Sequence, residues 1–450
     1  MRKNPRKHSP SSKPSSKPSS KPSSKPSSIP SSTPSSIPSS TPSVATLAVQ
    51  SIAAGGDGVS RHDGLVVFTP RTAPGDVAEI ELTVGKRFAR GALKALRTPG
   101  PGRVEPRCVH YTRDRCGGCQ LQHLSIEVQR AAKSLIVGDA LRRIGHVGAA
   151  APEVRASPSE WRYRRKLTLA LRRRGREWFA GLHPYDAPGK VFPLTDCPIT
   201  DERVVAAWKE IMAASSGFPE AEELRGAVQL DARGASFALE GGTSWPGAEA
   251  FFEQVPSLVS LLYSPAVGVR RRVAHREHDL VPDASFVQVN EGMARAMQRH
   301  VLERVMSHAP ATVIDAYAGS GDTAAAVAAA GAKVVAIELD EDAAAWCASR
   351  LPAGSRAIAA RVEDLLASIL PAEVVVLNPP RAGVEARVTA LLAHAPSGVK
   401  AIVYVSCDPA TLARDIARLP GWRVASLVAF DMFPQTAHIE TVCELVPEAA

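Results

Sequence analysis

The stretch that decides the fold class is VIDAYAGSGDTAAAVAAAGAKVVAIELDEDA, residues 313–343. An apolar run passes into a turn with two glycines, an alanine-rich helical segment follows, and a second apolar run ends at Glu338. Two further runs, EVVVLN and AIVYVS, lie at 373–378 and 401–406 and are also separated by a helical segment. Apolar strands that alternate with helices predict a doubly wound parallel sheet, so the expected class is α/β.

The glycine turn after the first of these strands has the composition of a ligand-binding loop. Gly319 and Gly321 let the backbone pass close to a ligand, and Glu338 at the end of the second strand can accept hydrogen bonds from ribose hydroxyls. The third glycine of dinucleotide sites is missing and the AGSG loop is short, which favours S-adenosylmethionine, a ligand without a pyrophosphate. On this stretch alone, a plain turn with an exposed glutamate is an equal alternative.

Two later strands end in residues suited to binding and chemistry. Asn378 stands directly before two prolines, at the strand end where open α/β sheets bind ligands, although a simple strand stop has the same composition. Cys407 follows the run AIVYVS, and the Asp-Pro after it ends the strand, which favours the sheet edge over the core for this thiol. A thiolate at such an edge is a nucleophile that works near neutral pH.

Length and charge exclude several classes of protein. The chain has 450 residues, enough for more than one domain, and no stretch of about 18 apolar residues that could span a membrane. Eight of its nine net positive charges lie in residues 1–43, a Ser/Pro/Lys repeat without an acid that we expect to be a disordered tail. The global charge therefore says little about nucleic acid. The tail has no apolar signal region, so we expect a cytoplasmic protein that does not bind membranes.

Turn spacing and composition divide the remaining chain into three segments. Residues 44–98 hold short alternating runs broken by Gly and Pro, the rhythm of a small β-barrel. Residues 99–284 contain a cysteine-rich loop and a mixed α+β region. Residues 285–450 contain the alternating strands and helices of the predicted parallel sheet.

Four cysteines have the spacing of a metal site. Cys108, Cys116 and Cys119 lie in one loop, and Cys197 precedes a proline in LTDCPIT. Without secretion a disulfide framework is not expected, and four thiolates can hold either zinc or a [4Fe–4S] cluster; the spacing does not decide between them. The apolar neighbours of Cys347 and Cys443 predict that these two are core residues.

A basic stretch, WRYRRKLTLALRRRGREW at 161–178, has eight basic residues with aromatic residues among them. This composition suits phosphate contacts and base stacking on an RNA-binding surface. An ordinary solvated face is the alternative.

Six motifs in order resemble the RNA uracil-C5 methyltransferase family, which forms 5-methyluridine in ribosomal and transfer RNA. They are CGGCQLQHL (116–124), FVQVN (286–290), DAYAGSGD (315–322), NPPRAG (378–383), SCDPATLARD (406–415) and HIETV (438–442). The resemblance covers residues 44–450. It implies a Rossmann-like class I methyltransferase sheet, a mixed α+β central domain, and an N-terminal TRAM domain, which is an OB-like RNA-binding barrel.

The resemblance also implies the chemistry of the site. Cys407 would add to C6 of uracil so that C5 can take the methyl group of S-adenosyl-L-methionine, and Glu440 would then remove the C5 proton. The implied cofactor contacts are Gln288, Tyr317, Gly319, Gly321, Glu338, Asp364 and Asn378. The family commonly has aspartate at position 378; asparagine can donate as well as accept, which leaves base selection open. The implied group on Cys108, Cys116, Cys119 and Cys197 is a [4Fe–4S] cluster.

The sequence therefore predicts an enzyme that forms 5-methyluridine in RNA, with 23S ribosomal RNA as the expected substrate and no obligate protein partner. Three alternatives stay open. They are the same reaction on transfer RNA, methylation of cytosine at C5 in RNA, and an RNA-binding or assembly factor without catalysis. The predicted cluster argues against the first, and the presence of both Cys407 and Glu440 argues against the last.

Overall fold

The computed structural model describes residues 43–148, 150–231, 233–276, 288–393 and 398–448. The predicted disordered tail, apart from Ser43, and the predicted boundary at 284/285 lie outside these ranges. Within them, no helix is both long enough and apolar enough to cross a membrane.

The first sheet comes from the segment predicted as a β-barrel. Its six strands have the order β1-β5-β6-β4-β3-β2. The bounds are β1 Ser43–Ala48, β2 Ser51–Ile52, β3 Gly58–His62, β4 Leu65–Thr69, β5 Val77–Val84 and β6 Phe88–Thr98. Alternate residues of β5 are buried, which places Ile80 and Leu82 in a small core with Leu47 and Val67. No ladder between described residues joins the edge strands β1 and β2, so hydrogen bonds do not close the expected barrel there.

The chain next forms the cysteine-rich loop, two helices and a short strand. These elements are α1 Val109–Thr112, α2 Ile126–Arg143 and β7 Glu153–Arg155. Ser125 caps α2 by accepting a hydrogen bond from the Val128 amide. Val137 and Leu141 of α2 pack into the core of the third sheet described below, and β7 adds an edge strand to it. Residues 126–155 thus pack with the C-terminal half of the chain.

The second sheet forms the central part of the chain and has seven strands in the order β10-β9-β8-β11-β12-β13-β14. The bounds are β8 Lys166–Arg174, β9 Glu177–Leu182, β10 Phe192–Pro193, α3 Glu202–Ala213, a 3₁₀ turn Ser215–Gly217, β11 Glu223–Leu230, β12 Ala235–Glu240, α4 Ala248–Glu253, β13 Leu258–Ser264 and β14 Arg271–His275. Helix α3 buries residues at positions 204, 207, 208 and 211, a helical period that lays Trp208 against the sheet.

The third sheet has eight strands in the order β17-β16-β15-β18-β19-β21-β20-β7. Its elements are α5 Glu291–Met306, β15 Thr312–Ala316, α6 Asp322–Ala329, β16 Lys333–Glu338, α7 Glu341–Arg350, β17 Arg356–Ala359, α8 Val362–Ile369, β18 Val374–Leu377, α9 Ala386–Leu392, β19 Ala401–Ser406, α10 Pro409–Ile416, β20 Trp422–Phe430 and β21 Glu440–Pro447. All residues of β18 and β19 are buried, because helices cover both faces of a parallel sheet. The predicted doubly wound α/β sheet is confirmed.

One strand of this sheet runs against the others. β21 lies between β19 and β20 and is antiparallel to both, whereas β15 to β19 are mutually parallel. The beginning of β21 therefore lies at the same sheet edge as the ends of the parallel strands. Glu338, Asn378, Cys407 and Glu440 all belong to this edge.

Candidate active site

Cys407 and Glu440 meet because of the strand register. In the antiparallel ladder between β19 and β21, Ser406 pairs with Thr441, and the next position of this register sets Cys407 opposite Glu440. Directly opposed residues in such a ladder have Cβ atoms about 5 Å apart. The two side chains, which are 33 positions apart in the sequence, therefore lie side by side at the edge of the sheet.

The Cys407 thiol is half-buried and lies between the end of β19 and the start of α10. Asp408 caps this helix, since its carboxylate accepts a hydrogen bond of 2.9 Å from the Thr411 amide. Burial raises the pKa of the thiol, the carboxylate of Glu440 raises it further, and the guanidinium of Arg381 acts in the opposite direction. Arg381 is therefore the side chain that favours the nucleophilic thiolate.

Glu440 is 6% exposed, and its burial raises the pKa of the carboxyl to about 7. Arg381 opposes this rise as well, so the guanidinium lies within electrostatic reach of both groups. A carboxylate with a pKa near neutrality is a stronger base than an exposed glutamate, yet a large part of it is ionised at physiological pH.

The NPPRAG turn, residues 378–383, holds Arg381 in this place, and α10 holds the turn. The Thr411 hydroxyl donates to the Arg381 carbonyl (3.2 Å) and the Arg414 guanidinium donates to the Ala382 carbonyl (2.8 Å). The carboxylate of Asp415, a fully buried residue, accepts from the Val384 amide at 3.0 Å. Of this motif, only Asn378 is predicted from the sequence, although the cation that directly follows the two prolines indicates Arg381 as well.

On the neighbouring strands, hydrogen bonds join Glu338 to the glycine turn. The Glu338 carboxylate accepts hydrogen bonds from the amides of Gly319 (2.8 Å), Leu339 (2.8 Å) and Asp340 (3.0 Å). These donors fix the orientation of the carboxylate and leave lone pairs for hydroxyl groups. Gly319 (φ +56°) has open space where a Cβ would be, whereas a Cβ at Gly321 (φ +82°) would overlap the sulfur of Cys347.

Asp315 was missed by the sequence reading. It lies in β15, just before the glycine turn, and is 2% exposed. Burial raises the pKa of this carboxyl to about 7, while a hydrogen bond from the Ala324 amide acts against the rise. Its Oδ2 has no hydrogen-bond partner among the described residues. The signal was available: VIDAY is an apolar strand interrupted by one acid.

The remaining predicted contacts differ in their surroundings. The Oε1 atom of Gln288 is buried and has no partner in the described part of the chain. Tyr317 is half-buried with a positive φ of 62°, and Asn378 is exposed. Asp364 is exposed and pairs with Arg387 at 3.4 Å, whereas the side chain of the adjacent Glu363 is only 6% exposed.

The chain is similar to proteins that carry the names of RNA methyltransferases. A model of the tRNA (uracil-5-)-methyltransferase family matches residues 353–446. An RNA methyltransferase of Rhizobium meliloti is 33% identical over 428 residues, which cover 90% of this chain and 99% of the relative. The 23S rRNA (uracil(1939)-C(5))-methyltransferase RlmD of Halomonas elongata is 31% identical over 441 residues, 88% of each chain. This chain belongs to the RNA uracil-C5 methyltransferase family. The predicted family and enzyme class are confirmed.

A solved structure of another family member supports the fold. The tRNA (uracil-54, C5)-methyltransferase of Pyrococcus abyssi, in complex with S-adenosyl-L-homocysteine, superimposes with a TM-score of 0.69. The match covers 89% of this chain and 99% of that chain at 23% sequence identity. The class I methyltransferase fold that the sequence predicts for the present chain is therefore confirmed.

Three of the four cysteines of the predicted cluster, Cys108, Cys119 and Cys197, lie in or against one buried cluster that contains Tyr111 and Tyr163. Cys108 and Cys119 belong to one buried cluster with these tyrosines and Ile199, and Cys197 packs against it. Burial and the neighbouring thiols raise the pKa of Cys116 to about 11 and also raise the pKa of Cys197. Among the described residues, no three His, Cys, Asp or Glu side chains have the arrangement of a metal-ligand set. Cys347 and Cys443 are buried in the core, as predicted.

Proposed function

We propose that this protein transfers a methyl group from S-adenosyl-L-methionine to C5 of a uridine in 23S ribosomal RNA, through a covalent bond between Cys407 and C6 of the base. The observation that carries the proposal is the cross-strand pair of Cys407 and Glu440, with Arg381 beside both. It lies at the same sheet edge as Glu338 and the glycine turn. RlmD proteins of Shewanella woodyi, Shewanella sediminis and Halomonas elongata carry names for this reaction.

The residues divide the reaction into two halves. The Cys407 thiolate adds to C6, which gives C5 the electron density of an enolate carbon, and Arg381 offsets the negative charge. S-adenosyl-L-methionine, when bound, supplies an electrophilic methyl group at a sulfonium. Glu440 then accepts the proton of the methylated C5, the C5–C6 double bond forms again, and the thiolate leaves C6.

The cofactor site is built on β15 and β16. The Glu338 carboxylate would accept the ribose hydroxyls, and the open space beside Gly319 would admit the ligand to the backbone. Asp315 Oδ2 and Gln288 Oε1, which have no hydrogen-bond partner among the described residues, fit a ligand that carries an ammonium group or amide-like donors. Tyr317, Gly321, Asp364 and Asn378 complete the proposed contacts at this edge.

For the cysteines we propose a [4Fe–4S] cluster with a structural role. The donor chemistry fits, because the thiols of Cys108, Cys116 and Cys119 are buried, that of Cys197 is half-buried, and thiolates are the ligands of such clusters. Neighbouring thiols contribute to the raised pKa values of Cys116, Cys119 and Cys197, so these groups lie close together. Iron and acid-labile sulfide near four each per chain, with the brown absorbance of the anaerobically purified protein, are the expected results. One zinc ion per chain without iron would contradict this proposal.

The proposed RNA contacts involve the TRAM-like sheet at 44–98 and the central sheet. The basic stretch at 161–178 divides in the structure: Arg162 and Arg165 are ion-paired with Asp196 and Glu291, whereas Arg174 and Arg176 are exposed at a hairpin turn. Phosphate contacts are therefore expected from the turn. We also propose that the protein acts in the cytoplasm, where ribosomal RNA is modified.

The experiment that tests the substrate is a map of modified bases in a strain that lacks the gene. We expect one or more 5-methyluridines to disappear from 23S ribosomal RNA and to return with the wild-type gene. Complementation with the Cys407→Ala variant is the matched control and should not restore them. Loss of 5-methyluridine from transfer RNA alone, or loss of 5-methylcytidine, would contradict the assignment.

A further inference from the structure

The segment that leads into Glu440 is held from outside its own sheet. β20 and β21 form a hairpin whose last pair is Phe430 with Glu440, and residues 431–439 connect them. A long connection leaves the closing pair of a hairpin free to fray, because the loop adds no ladder hydrogen bonds. In this protein, however, the 431–437 segment is bound by residues between 120 and 163, from the other half of the chain.

Backbone groups of the 431–437 segment make most of these contacts. The Tyr163 hydroxyl donates to the Pro434 carbonyl at 2.9 Å. The Leu121 amide donates to the Gln435 carbonyl at 3.0 Å. The Ala437 amide donates to Oε1 of Gln120 at 3.3 Å, and Gln120 directly follows Cys119 of the proposed cluster. The cysteine-rich loop and the segment before Glu440 thus share hydrogen bonds.

Two buried pairs from α2 complete the set. The side chain of Gln129 forms two hydrogen bonds with Gln435. Its Nε2 donates to Oε1 of Gln435 (3.0 Å), and its Oε1 accepts from the backbone amide of Gln435 (2.9 Å). Lys133 donates to the Asp431 carboxylate at 2.5 Å and to the Phe433 carbonyl at 3.0 Å. Both members of the Lys133–Asp431 pair are at most 1% exposed, so removal of either would leave the charge of the other buried without its counter-ion.

These contacts hold the connection between β20 and β21 in place next to the Phe430–Glu440 pair. Ile439 is buried in the core next to Glu440, and the ring of Phe433 packs edge-on against His438 at 5.8 Å. Opening of the 431–437 segment would break the Phe430–Glu440 pair and admit water to the carboxylate. A hydrated glutamate is a weaker base and is free to leave its place beside Cys407.

We propose that Gln120, Gln129, Lys133 and Tyr163 are positioning residues for proton removal: they hold the 431–437 segment closed and thereby keep Glu440 buried beside Cys407. The inference rests on the proposed role of Glu440 as the base. It gives the cysteine-rich loop a task in the second half of the reaction, because Gln120 and Leu121 are parts of that loop. None of these four residues forms its hydrogen bonds to the 431–437 segment through Cys407 or the glycine turn at 319–321.

The test uses two variants. Tyr163→Phe removes the hydrogen bond to the Pro434 carbonyl, and Gln120→Ala removes the hydrogen bond from the Ala437 amide together with one inside the cysteine-rich loop, from the Gln120 side chain to the Gly117 carbonyl. Tyr263→Phe is the matched control, because its hydroxyl also donates to a carbonyl, that of Gly241 at 2.9 Å, in the central sheet. Full-length proteins react in a single turnover with RNA that carries tritium at C5 of uridine, and labelled S-adenosylmethionine reports methyl transfer. Tritium release reports proton removal, and a denaturing gel reports the protein–RNA adduct.

We expect tritium release to slow about five- to tenfold in Tyr163→Phe and Gln120→Ala, with methyl transfer within about twofold of the wild type. The adduct should accumulate, and the pH midpoint of tritium release should fall. Two results would overturn the inference but not the proposed role of Glu440. One is a decline of methyl transfer and tritium release in the same ratio, and the other is behaviour of both variants like that of Tyr263→Phe. Wild-type tritium release by Glu440→Gln would overturn the proposed base together with the inference.

Discussion

At the scale of the residue, the site depends on three side chains from three motifs. Cys407 could be predicted, because Asp-Pro after an apolar strand indicates a sheet edge. Glu440 could be assigned only by family resemblance, since an acid at the start of a strand is usually exposed. Arg381 was not predicted. The cation after two prolines is visible in the sequence, but its electrostatic effect on the other two side chains appears only in three dimensions.

The first prediction concerns Arg381→Gln. Without the guanidinium, the pKa of the Cys407 thiol should rise, because burial and Glu440 already raise it. Alkylation of Cys407 by iodoacetamide at neutral pH should slow about tenfold, as measured by mass spectrometry of the peptide that contains it. Arg423→Gln is the control. Arg423 lies near the start of β20, whereas Phe430, which pairs with Glu440, lies at its end. Equal alkylation rates in the two variants would refute the electrostatic role.

The second prediction concerns the pH dependence of proton removal. Glu440 accepts a proton only when ionised, and the pKa of its carboxyl is raised to about 7 by burial. Tritium release from C5 should therefore increase as the pH rises through about 7 and become constant above it. Single-turnover rates across this range measure it. A rate that is already constant above about pH 5, as for an ordinary glutamate, would contradict the account.

At the scale of the element, α10 links the nucleophile to the turn that carries Arg381. Its first residue follows Cys407 and Asp408, and its last turn carries Asp415, which accepts hydrogen bonds from the Tyr404 hydroxyl (2.7 Å), the Val384 amide (3.0 Å) and the Arg414 side chain (2.9 Å). The motif SCDPATLARD is therefore one structural unit. Its second half supports the catalytic edge, a role that the sequence pattern does not reveal.

The third prediction follows from this unit. Asp415→Ala leaves three buried or half-buried donors without their acceptor and should lower the free energy of unfolding by about 3 kcal/mol. Urea denaturation measures the change. Asp139→Ala is the control. It removes two exposed ion pairs on α2, with Arg142 and Arg143, and should change stability by less than about 1 kcal/mol. Similar losses in the two variants would show that Asp415 does not organise the turn.

The fourth prediction separates the two glycines of the cofactor loop. Gly321→Ala should destabilise the fold, since its φ is +82° and a Cβ would overlap the Cys347 sulfur. A Cβ at position 319 meets no atom within 4 Å, so Gly319→Ala should lower the free energy of unfolding by only about 1–2 kcal/mol, because of its positive φ. The same variant should weaken S-adenosylmethionine binding at least about tenfold. Thermal unfolding and calorimetric titration measure both. Unchanged affinity in Gly319→Ala would place the ligand elsewhere.

At the scale of the whole molecule, the sequence predicted the parallel strands because β18 and β19 are buried on both faces and read as continuous apolar runs. It did not predict that β7, a three-residue strand, joins the far edge of the same sheet. So short a strand has no periodicity to detect, and its pairing with β20 is a long-range contact. The antiparallel pairing of β21 with β19, which brings Glu440 to Cys407, is also a long-range contact.

The fifth prediction concerns the stability of the whole fold. The folded pKa of Asp315 is about 7, above its ordinary value of 3.8, so between these values the unfolded chain loses a proton that the folded protein keeps. Stability should therefore fall as the pH rises through this window. The Asp315→Asn variant does not have this loss. The unfolding free energy of the variant minus that of the wild type should therefore increase by more than about 1 kcal/mol from pH 4 to pH 7. A pH-independent difference would contradict the buried, neutral carboxyl.

The central claim is the transient bond between Cys407 and C6 of uridine, and a substrate that stops the reaction at that bond tests it most directly. RNA with 5-fluorouridine has no C5 proton for Glu440 to remove, so the adduct should persist after methyl transfer. We expect mass spectrometry of a digest to find the methylated fluorouridine attached to the peptide that contains Cys407. Full methyl transfer with no linkage at residue 407 would contradict it.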